Sequence, residues 1–82
     1  MSDGDIDVVQ MFKEAAFEVG GHKMDGLTLD TRLSDLSLDS VSVMETIGHF
    51  EQRLNIRLND EDLARLHTLR DLEKLIQKAR GQ

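Results

Sequence analysis

The hydroxyl group of Ser40 is the side chain in this sequence whose position best suits covalent chemistry. Ser40 lies in the segment Leu36–Val41, which reads LSLDSV and joins a polar loop to a helix-like apolar periodicity. A serine at a helix start is exposed, and the free backbone N–H groups and positive dipole end there favour an attached phosphate. Serine and aspartate also begin helices simply as caps. Taken alone, the segment indicates either a modification site or a cap.

A second group of candidate functional residues consists of acidic side chains near the beginning of the sequence. The spacing of Asp3, Asp5, Asp7 and Glu14 matches part of an EF-hand calcium loop, but Val8 stands where the sharp turn of that loop requires glycine. We therefore expect these acids to form the charged first turn of a helix.

Metal and catalytic sites of other kinds are not predicted. The sequence has no cysteine, which excludes disulfides and thiolate metal sites and favours a reducing, cytoplasmic location. The histidines His22, His49 and His67 fall in different predicted elements, and no G-x-S-x-G motif surrounds Ser40. We expect no bound metal and no catalytic residue.

Length and charge limit the partners of this chain. Its 82 residues are enough for one small domain, residues 1–82, with a core too small to enclose a catalytic cleft as well. The formal net charge is −6; residues 1–40 contain nine acids and three bases, and residues 41–82 contain seven of each. This excess of acids favours basic protein partners, or serves only solubility. We expect a monomer that binds neither nucleic acid nor membrane.

Apolar spacing predicts an all-α protein, a small four-helix bundle with a long loop between helices 1 and 2 and a short third helix. The helices are expected at about residues 5–19, 40–54, 60–66 and 69–79. Gly20-Gly21 would end the first helix, Asn59 would cap the third, and Thr68 with Asp71 would form a capping box for the fourth.

The residues expected to face the core recur at spacings of three and four. They are Ile6, Val9, Phe12, Ala16 and Val19 in the first helix, Val43, Ile47, Phe50 and Leu54 in the second, Leu63 and Leu66 in the third, and Leu69, Leu72, Ile76 and Ala79 in the fourth. Leucines at 27, 29, 33, 36 and 38 should pin the long loop to this core.

In order along the chain, several segments resemble those of the acyl carrier proteins. Asp39-Ser40-Val41 resembles the (D/E)-S-L attachment motif of that family. Residues 54–62, LNIRLNDED, resemble its F-G-I-x-I-x-D-E-D segment, and residues 66–72, LHTLRDL, resemble its T-(V/L)-x-D-L start of the last helix. With the helix pattern, the resemblance covers nearly the whole chain.

The resemblance implies that Ser40 receives a 4'-phosphopantetheine arm from coenzyme A through a phosphopantetheinyl transferase. The arm would supply the thiol that this chain lacks, so that acyl groups travel as thioesters and the protein itself is not an enzyme. Asp39 would shape the start of the second helix. The implied partners are acyltransferase, ketosynthase or ligase-type enzymes of fatty acid, polyketide or related specialised biosynthesis.

The family docks its enzymes on the second helix, and this implies a contact surface next to Ser40. The candidate contact residues are Val41, Met44, Glu45, Gly48, Glu51 and Gln52. Val41 and Met44 lie outside the core stripe; they either meet partners or pack half-buried against the long loop.

Departures from the family pattern point to specialised partners. The second helix offers only Glu45 and Glu51 as acids, whereas Arg53 and Arg57 stand where acids are frequent. We therefore expect cognate enzymes that are less basic than those of general fatty acid synthesis. The alternative function is a helical interaction module without a carrier role, responsive to calcium, in which Ser40 is only a cap.

Overall fold

The computed structural model describes residues 7–81, which form four α-helices joined by loops. The helices are α1 (Val8–Gly20), α2 (Ser40–Leu54), α3 (Asp60–Leu63) and α4 (Leu69–Ala79), and a short 3-10 turn spans Leu33–Asp35. Over the described residues, the only extended pairing is an isolated bridge between Arg32 and Thr68. The predicted all-α bundle with a long first connection and a short third helix is confirmed. Between residues 7 and 81, no helix is long and apolar enough to cross a membrane.

The predicted bounds of α2 and α4 are confirmed, and those of α1 and α3 are wrong by a few residues. Helix α1 begins at Val8 because Asp7 caps it, accepting a hydrogen bond from Gln10 N at 3.0 Å. Residues 5 and 6, where we expected the helix to start, lie outside the described residues. Helix α3 ends at Leu63, because the chain then tightens into a turn in which Leu66 N donates to Leu63 O at 3.2 Å.

Gly21 ends α1 in the left-handed conformation that favours glycine, with a φ of 70°. Its N–H donates to Phe17 O at 2.7 Å, which satisfies a carbonyl at the end of the helix. The double glycine therefore ends α1 as predicted, and the chain turns into the long loop.

The long loop is fastened to the start of α4. Leu69 N donates to Thr31 O at 3.2 Å, and Arg70 N donates to Leu29 O at 2.8 Å. The next N–H group, that of Asp71, donates a hydrogen bond to Thr68 Oγ1 in the predicted capping box. The first amides of α4, for which no helical carbonyl exists, are thus satisfied by the loop and the cap. This attachment holds the chain that leads to Ser40.

Phe12 of α1 and Phe50 of α2 form the centre of the core, with ring centroids 6.3 Å apart. Both are fully buried, together with Val8, Ala15, Ala16, Ile47, Leu69, Leu72 and Ile76. Complete burial of a large apolar side chain contributes about 1.5–3 kcal/mol. The five loop leucines are half-buried against this core, as predicted.

The predicted core faces are correct for most residues, but Val8, Ala15 and Leu58 are buried although they were not expected in the core, and Val9 is only half-buried. Ala79 is exposed, because α4 extends beyond the core at its last turn. Thr46 was not expected in the core but is fully buried, with its hydroxyl donating to Ser42 O at 2.8 Å. That bond lets a polar side chain occupy the core-facing side of α2. Ile6 lies outside the described residues.

Candidate functional site

Ser40 is the first residue of α2, and Asp39 caps that helix. Asp39 Oδ1 accepts a hydrogen bond from Ser42 N at 2.7 Å, and Asp39 O accepts the first helical bond, from Val43 N at 3.0 Å. The amides of Ser40 and Val41 are the first two of the helix, and no helical carbonyl exists for them. The positive end of the α2 dipole therefore lies at the Ser40 side chain.

The carboxylate of Asp39 is held in its charged form. The hydrogen bond from the backbone N–H of Ser42, followed by one from the Ser42 hydroxyl, keeps the pKa of Asp39 below its ordinary value, with a smaller electrostatic contribution from His22. An ionised carboxylate that is already engaged as a cap has no proton to donate. Asp39 therefore shapes the start of α2, as the sequence predicted.

Ser40 is exposed and borders an apolar groove of about 310 Å³. The exposure allows an enzyme to reach the hydroxyl group, and the groove places apolar space beside it. The apolar walls come from the long loop, α2 and the α3 region, namely Leu33, Leu38, Val43, Ile47, Leu63 and Leu66.

The outer surface of α2 presents the residues expected to contact partners. Val41 and Met44 are 66% and 49% exposed. This excludes the alternative in which Val41 packs half-buried against the long loop, whereas Met44 also lines the groove beside Ser40 together with Leu33 and Leu38 of that loop. Glu45 and Gln52 are also exposed. A Cβ atom at Gly48 would meet no atom within 4 Å beyond the backbone of its own helix, so the surface is open there.

Glu51 differs from the other expected contact residues, because its carboxylate is bonded within the protein. Glu51 Oε2 accepts a hydrogen bond from Leu58 N at 2.9 Å, which joins α2 to the segment before α3. Together with Met44 and Arg57, Glu51 lines a groove of about 500 Å³ between α2 and α3. The charge of Glu51 therefore lies at the edge of the α2 surface and also holds the adjoining loop.

Arg53, which we expected to weaken the acidity of the α2 surface, faces α1 instead, and so does His49. Arg53 Nη1 lies 3.1 Å from Glu14 Oε1, and His49 Nε2 lies 2.9 Å from Glu18 Oε2. The outer surface of α2 is thus less basic than the sequence alone indicated. Arg57, which lines the groove beside Glu51, is the base that remains near that surface.

The acidic residues at the beginning of the chain do not converge on a calcium site within the described residues. Asp7 precedes α1 as its cap, so the expectation that it belongs to the first helical turn is wrong. Glu14 accepts hydrogen bonds from Arg53 and from Gln10 Nε2, each at 3.1 Å. Asp3 and Asp5 lie outside the described residues. Over residues 7–81, no cluster of three or more metal-ligating side chains forms.

Comparison with known proteins assigns the chain to a family. A family model described as "Phosphopantetheine attachment site" matches residues 12–76, from within α1 to near the end of α4. The chain belongs to the acyl carrier protein family. The match includes Asp39, Ser40 and all of α2.

Relatives of this acyl carrier protein are found in several bacteria. It is 34% identical over 73 residues to the actinorhodin polyketide synthase acyl carrier protein of Streptomyces coelicolor, covering 89% of this chain and 85% of the relative. It is 35% identical over 66 residues to an acyl carrier protein of Rhodococcus erythropolis, covering 79% and 72%. The crystal structure of an acyl carrier protein from Thermotoga maritima shares the fold, with a TM-score of 0.81, 23% identity and coverage of 89% and 86%.

Membership of the family confirms the carrier role and the cofactor expected from the sequence. An acyl carrier protein of the polyketide or fatty acid type carries acyl groups on a covalently attached 4'-phosphopantetheine and does not itself catalyse a reaction. Proteins of this family are modified by phosphopantetheinyl transferases and interact with biosynthetic enzymes. An exposed hydroxyl at a helix start, beside an apolar groove, fits such a group. The calcium-responsive interaction module finds no support.

The groove beside Ser40 is the part of the site that the sequence did not reveal. Its leucines were predicted only as core or loop-pinning residues. In the sequence, leucines separated by polar residues from Leu27 to Leu38 indicate a loop that packs one side against the protein, and in the structure these leucines are half-buried. That spacing does not show which residues lie opposite the leucines.

Proposed function

We propose that Ser40 is the residue that carries the phosphopantetheine arm and that Asp39 positions it. The observation that carries this proposal is the place of Ser40, an exposed hydroxyl at the first position of α2 with its neighbour engaged as the cap. In the loading reaction, Ser40 Oγ would form a new bond to the phosphorus that bears the pantetheine of coenzyme A. The bond from that phosphorus to adenosine 3',5'-bisphosphate would break, and the serine proton would pass to the transferase.

Intact-mass measurement tests this assignment. The protein is incubated with coenzyme A and a phosphopantetheinyl transferase of broad specificity, and the mass of one arm should be added. Ser40→Ala should gain nothing. Ser37→Ala is the matched control, because Ser37 is an exposed serine three positions earlier. A full mass gain on Ser40→Ala, or its loss on Ser37→Ala alone, would contradict the proposal.

We further propose that partner enzymes bind the outer surface of α2, here called the α2 face. It consists of Val41, Met44, Glu45, Gly48, Glu51 and Gln52. The exposed apolar side chains next to Ser40, flanked by carboxylates, support this, because such a surface suits brief and partly steered protein contacts. The partners would be the phosphopantetheinyl transferase and acyltransferase, ketosynthase or ligase-type enzymes.

We propose that these partners belong to a specialised pathway, of the polyketide or peptide-hybrid kind. Two observations support this. The α2 face bears only Glu45 and Glu51 as acids, and the second of these is bonded to Leu58 N. A relative with 34% identity serves a polyketide synthase. The holo protein should therefore react faster with a polyketide ketosynthase than with a ketosynthase of general fatty acid synthesis. Equal rates would contradict the assignment.

We also propose that residues 1–82 act as one carrier domain, as a monomer in the cytoplasm. Residues from α1, α2 and α4 share one core, which supports a single folding unit. The absence of cysteine from the sequence is compatible with a reducing compartment. Light scattering of the holo protein should give the mass of one chain at all practical concentrations.

A further inference from the structure

The last part of the chain carries a charge opposite to that of the rest. Residues 64–82 contain five bases and two acids, a formal net charge of +3. Residues 1–63 contain five bases and fourteen acids, a formal net charge of −9. Helix α4 and the turn before it are therefore a basic region on an otherwise acidic protein.

Three of these bases surround an apolar groove between α3 and α4, here called the basic groove. Its volume is about 260 Å³. Leu66 and Leu75 are half-buried and line it, and the exposed side chains of Arg65, Lys74 and Lys78 stand around them. Apolar surface at which one sign of charge is in excess suits a partner of opposite charge.

The acids near the basic groove offset only part of its positive charge, because its lining contains three bases and two acids. Within residues 7–81, the ion pairs are His49–Glu18, Arg53–Glu14 and Arg70–Asp30, and none of them uses a base of the groove. Asp62 and Asp71 also line the groove. The Oδ2 atom of Asp71 accepts the N–H groups of His67 and Thr68 at 3.0 and 3.2 Å. These bonds, and then the nearby charges that include Lys74, lower the pKa of Asp71, so it stays negatively charged in the groove.

Helix electrostatics explain only part of this cluster. Lys78 lies in the last turn of α4, where a positive charge opposes the helix dipole. Lys74 lies in the middle of that helix, one turn after Asp71, with which it interacts electrostatically, and Arg65 lies in the turn after α3. Neither position accounts for the apolar surface of Leu66 and Leu75 between these bases.

We propose that the basic groove binds an acidic segment of a partner protein. One apolar side chain of that segment would lie against Leu66 and Leu75, while its carboxylates meet Arg65, Lys74 and Lys78. The groove shares only Leu66 with the groove beside Ser40, so a bound segment leaves Ser40 and the α2 face uncovered. The carrier can then stay attached to one protein while its arm reaches another.

An acidic peptide fits this region better than an extended polyanion does. The described residues have a radius of gyration of 11.8 Å and extend 31 × 30 × 22 Å. The charges on a protein of this size lie within a few Debye lengths of one another, and each Debye length is about 8 Å at physiological ionic strength. A nucleic acid or an anionic bilayer would therefore also meet the acidic majority of the surface. A short segment meets only the groove.

The test uses the full-length holo protein and a fluorescein-labelled peptide in which single leucines alternate with pairs of glutamates. Fluorescence polarisation should show binding that weakens with salt, and amide chemical shifts should change around Arg65, Leu66, Lys74 and Leu75. The triple variant Arg65→Gln, Lys74→Gln, Lys78→Gln should bind the peptide about tenfold more weakly or worse, the loss expected when complementary charges are removed.

The matched control is the double variant Lys13→Gln, Lys23→Gln, which removes bases that line a different groove, one that shares no residue with the basic groove. It should bind the peptide as the wild type does. Far-UV circular dichroism checks that each variant is folded, and both should be loaded at Ser40 at the wild-type rate. Three results would overturn the proposal: no binding to the wild type, equal binding to the triple variant, or stronger binding of DNA or anionic vesicles to the same residues.

Discussion

His49 of α2 lies 2.9 Å from Glu18 of α1, and this contact fixes which side of α2 faces α1. Arg53 and Glu14 form the next contact along the same pair of antiparallel helices, at 3.1 Å. At 100° per residue, Arg53 projects from the side of α2 opposite to Met44. The two pairs therefore belong to the helix–helix interface, and the α2 face lies elsewhere on the helix.

Removing the base of either pair should affect stability and leave partner reactions unchanged. Arg53→Gln and His49→Gln should each lower the melting temperature slightly, because exposed ion pairs contribute little. Acyl transfer rates should stay within about twofold of wild type, since a charge away from a binding surface changes association weakly. The measurements are thermal unfolding and transfer to a cognate ketosynthase. A severalfold change in rate for Arg53→Gln would show that Arg53 contacts partners.

Gly48 should separate stability from partner binding. Glycine in a helix interior costs about 1 kcal/mol relative to alanine, and a Cβ at Gly48 meets no neighbouring atom. Gly48→Ala should therefore raise the free energy of unfolding by up to about 1 kcal/mol. If partners approach the backbone there, the same variant should slow acyl transfer.

Gly21→Ala provides the contrasting control for the glycine prediction. Gly21 has a φ of 70° at the end of α1, a conformation that costs an alanine roughly 1 kcal/mol or more. This variant should lose stability and keep its transfer rate at temperatures where it is folded. Loss of stability in Gly48→Ala would contradict the open surface at that residue.

Glu45 and Glu51 are both acids of the α2 face, but their substitution should have different consequences. Glu45→Ala should slow partner reactions without changing stability, because Glu45 is exposed. Glu51→Ala should also destabilise the protein by about 1–2 kcal/mol, because it leaves Leu58 N without its charged acceptor. Urea unfolding measures the second effect. Equal stability losses in both variants would contradict this distinction.

The starts of α2 and α4 were predictable because their determinants are local. The cap of α2 depends on Asp39 and the backbone N–H of Ser42 three residues later, and the capping box of α4 joins Thr68 to Asp71 over the same separation. Such short-range bonds follow from residue type and spacing alone. The bounds of α2 and α4 were therefore correct.

The features that the sequence missed depend on distant residues. The direction of Arg53 is set by Glu14, which is 39 positions away in the sequence. Burial of Thr46 depends on neighbours from other helices as well as on its local bond to Ser42 O. The end of α3 and the groove beside Ser40 likewise depend on how the chain packs around Leu66. Periodicity identifies an apolar side of a helix, but not what covers it.

The protein should be stable at neutral pH and lose stability below about pH 4, the ordinary range of Asp and Glu titration. Hydrogen bonds lower the pKa of Asp39, through Ser42, and of Asp71, through His67 and then Thr68. Gln10 and then Arg53 lower the pKa of Glu14. Their folded pKa values lie below the unfolded ones, so the stabilisation is complete above the unfolded values and disappears as pH falls through the folded ones.

A single substitution checks the origin of this acid sensitivity. Asp71→Asn keeps an acceptor for the N–H groups of His67 and Thr68 but removes the titrating charge. Its unfolding free energy should fall less steeply with acid than that of wild type. Asp35→Asn is the control, because the Asp35 carboxylate accepts no hydrogen bond from the described residues. Identical slopes for Asp71→Asn and wild type would contradict the assignment.

Met44 and Phe17 allow the clearest test of the α2 face, because their exposure is nearly equal. Met44 is 49% exposed on α2 and Phe17 is 52% exposed on α1. Replacing either residue by serine therefore removes a large apolar side chain that is about half exposed to solvent. Met44→Ser should slow acyl transfer about tenfold, the effect of losing an apolar contact worth about 1.4 kcal/mol. Phe17→Ser should leave the rate unchanged. Both should melt close to wild type, since neither side chain belongs to the buried core. An equal slowing by both would mean that partners respond to general surface hydrophobicity, and a slowing by Phe17→Ser alone would move the partner surface to α1.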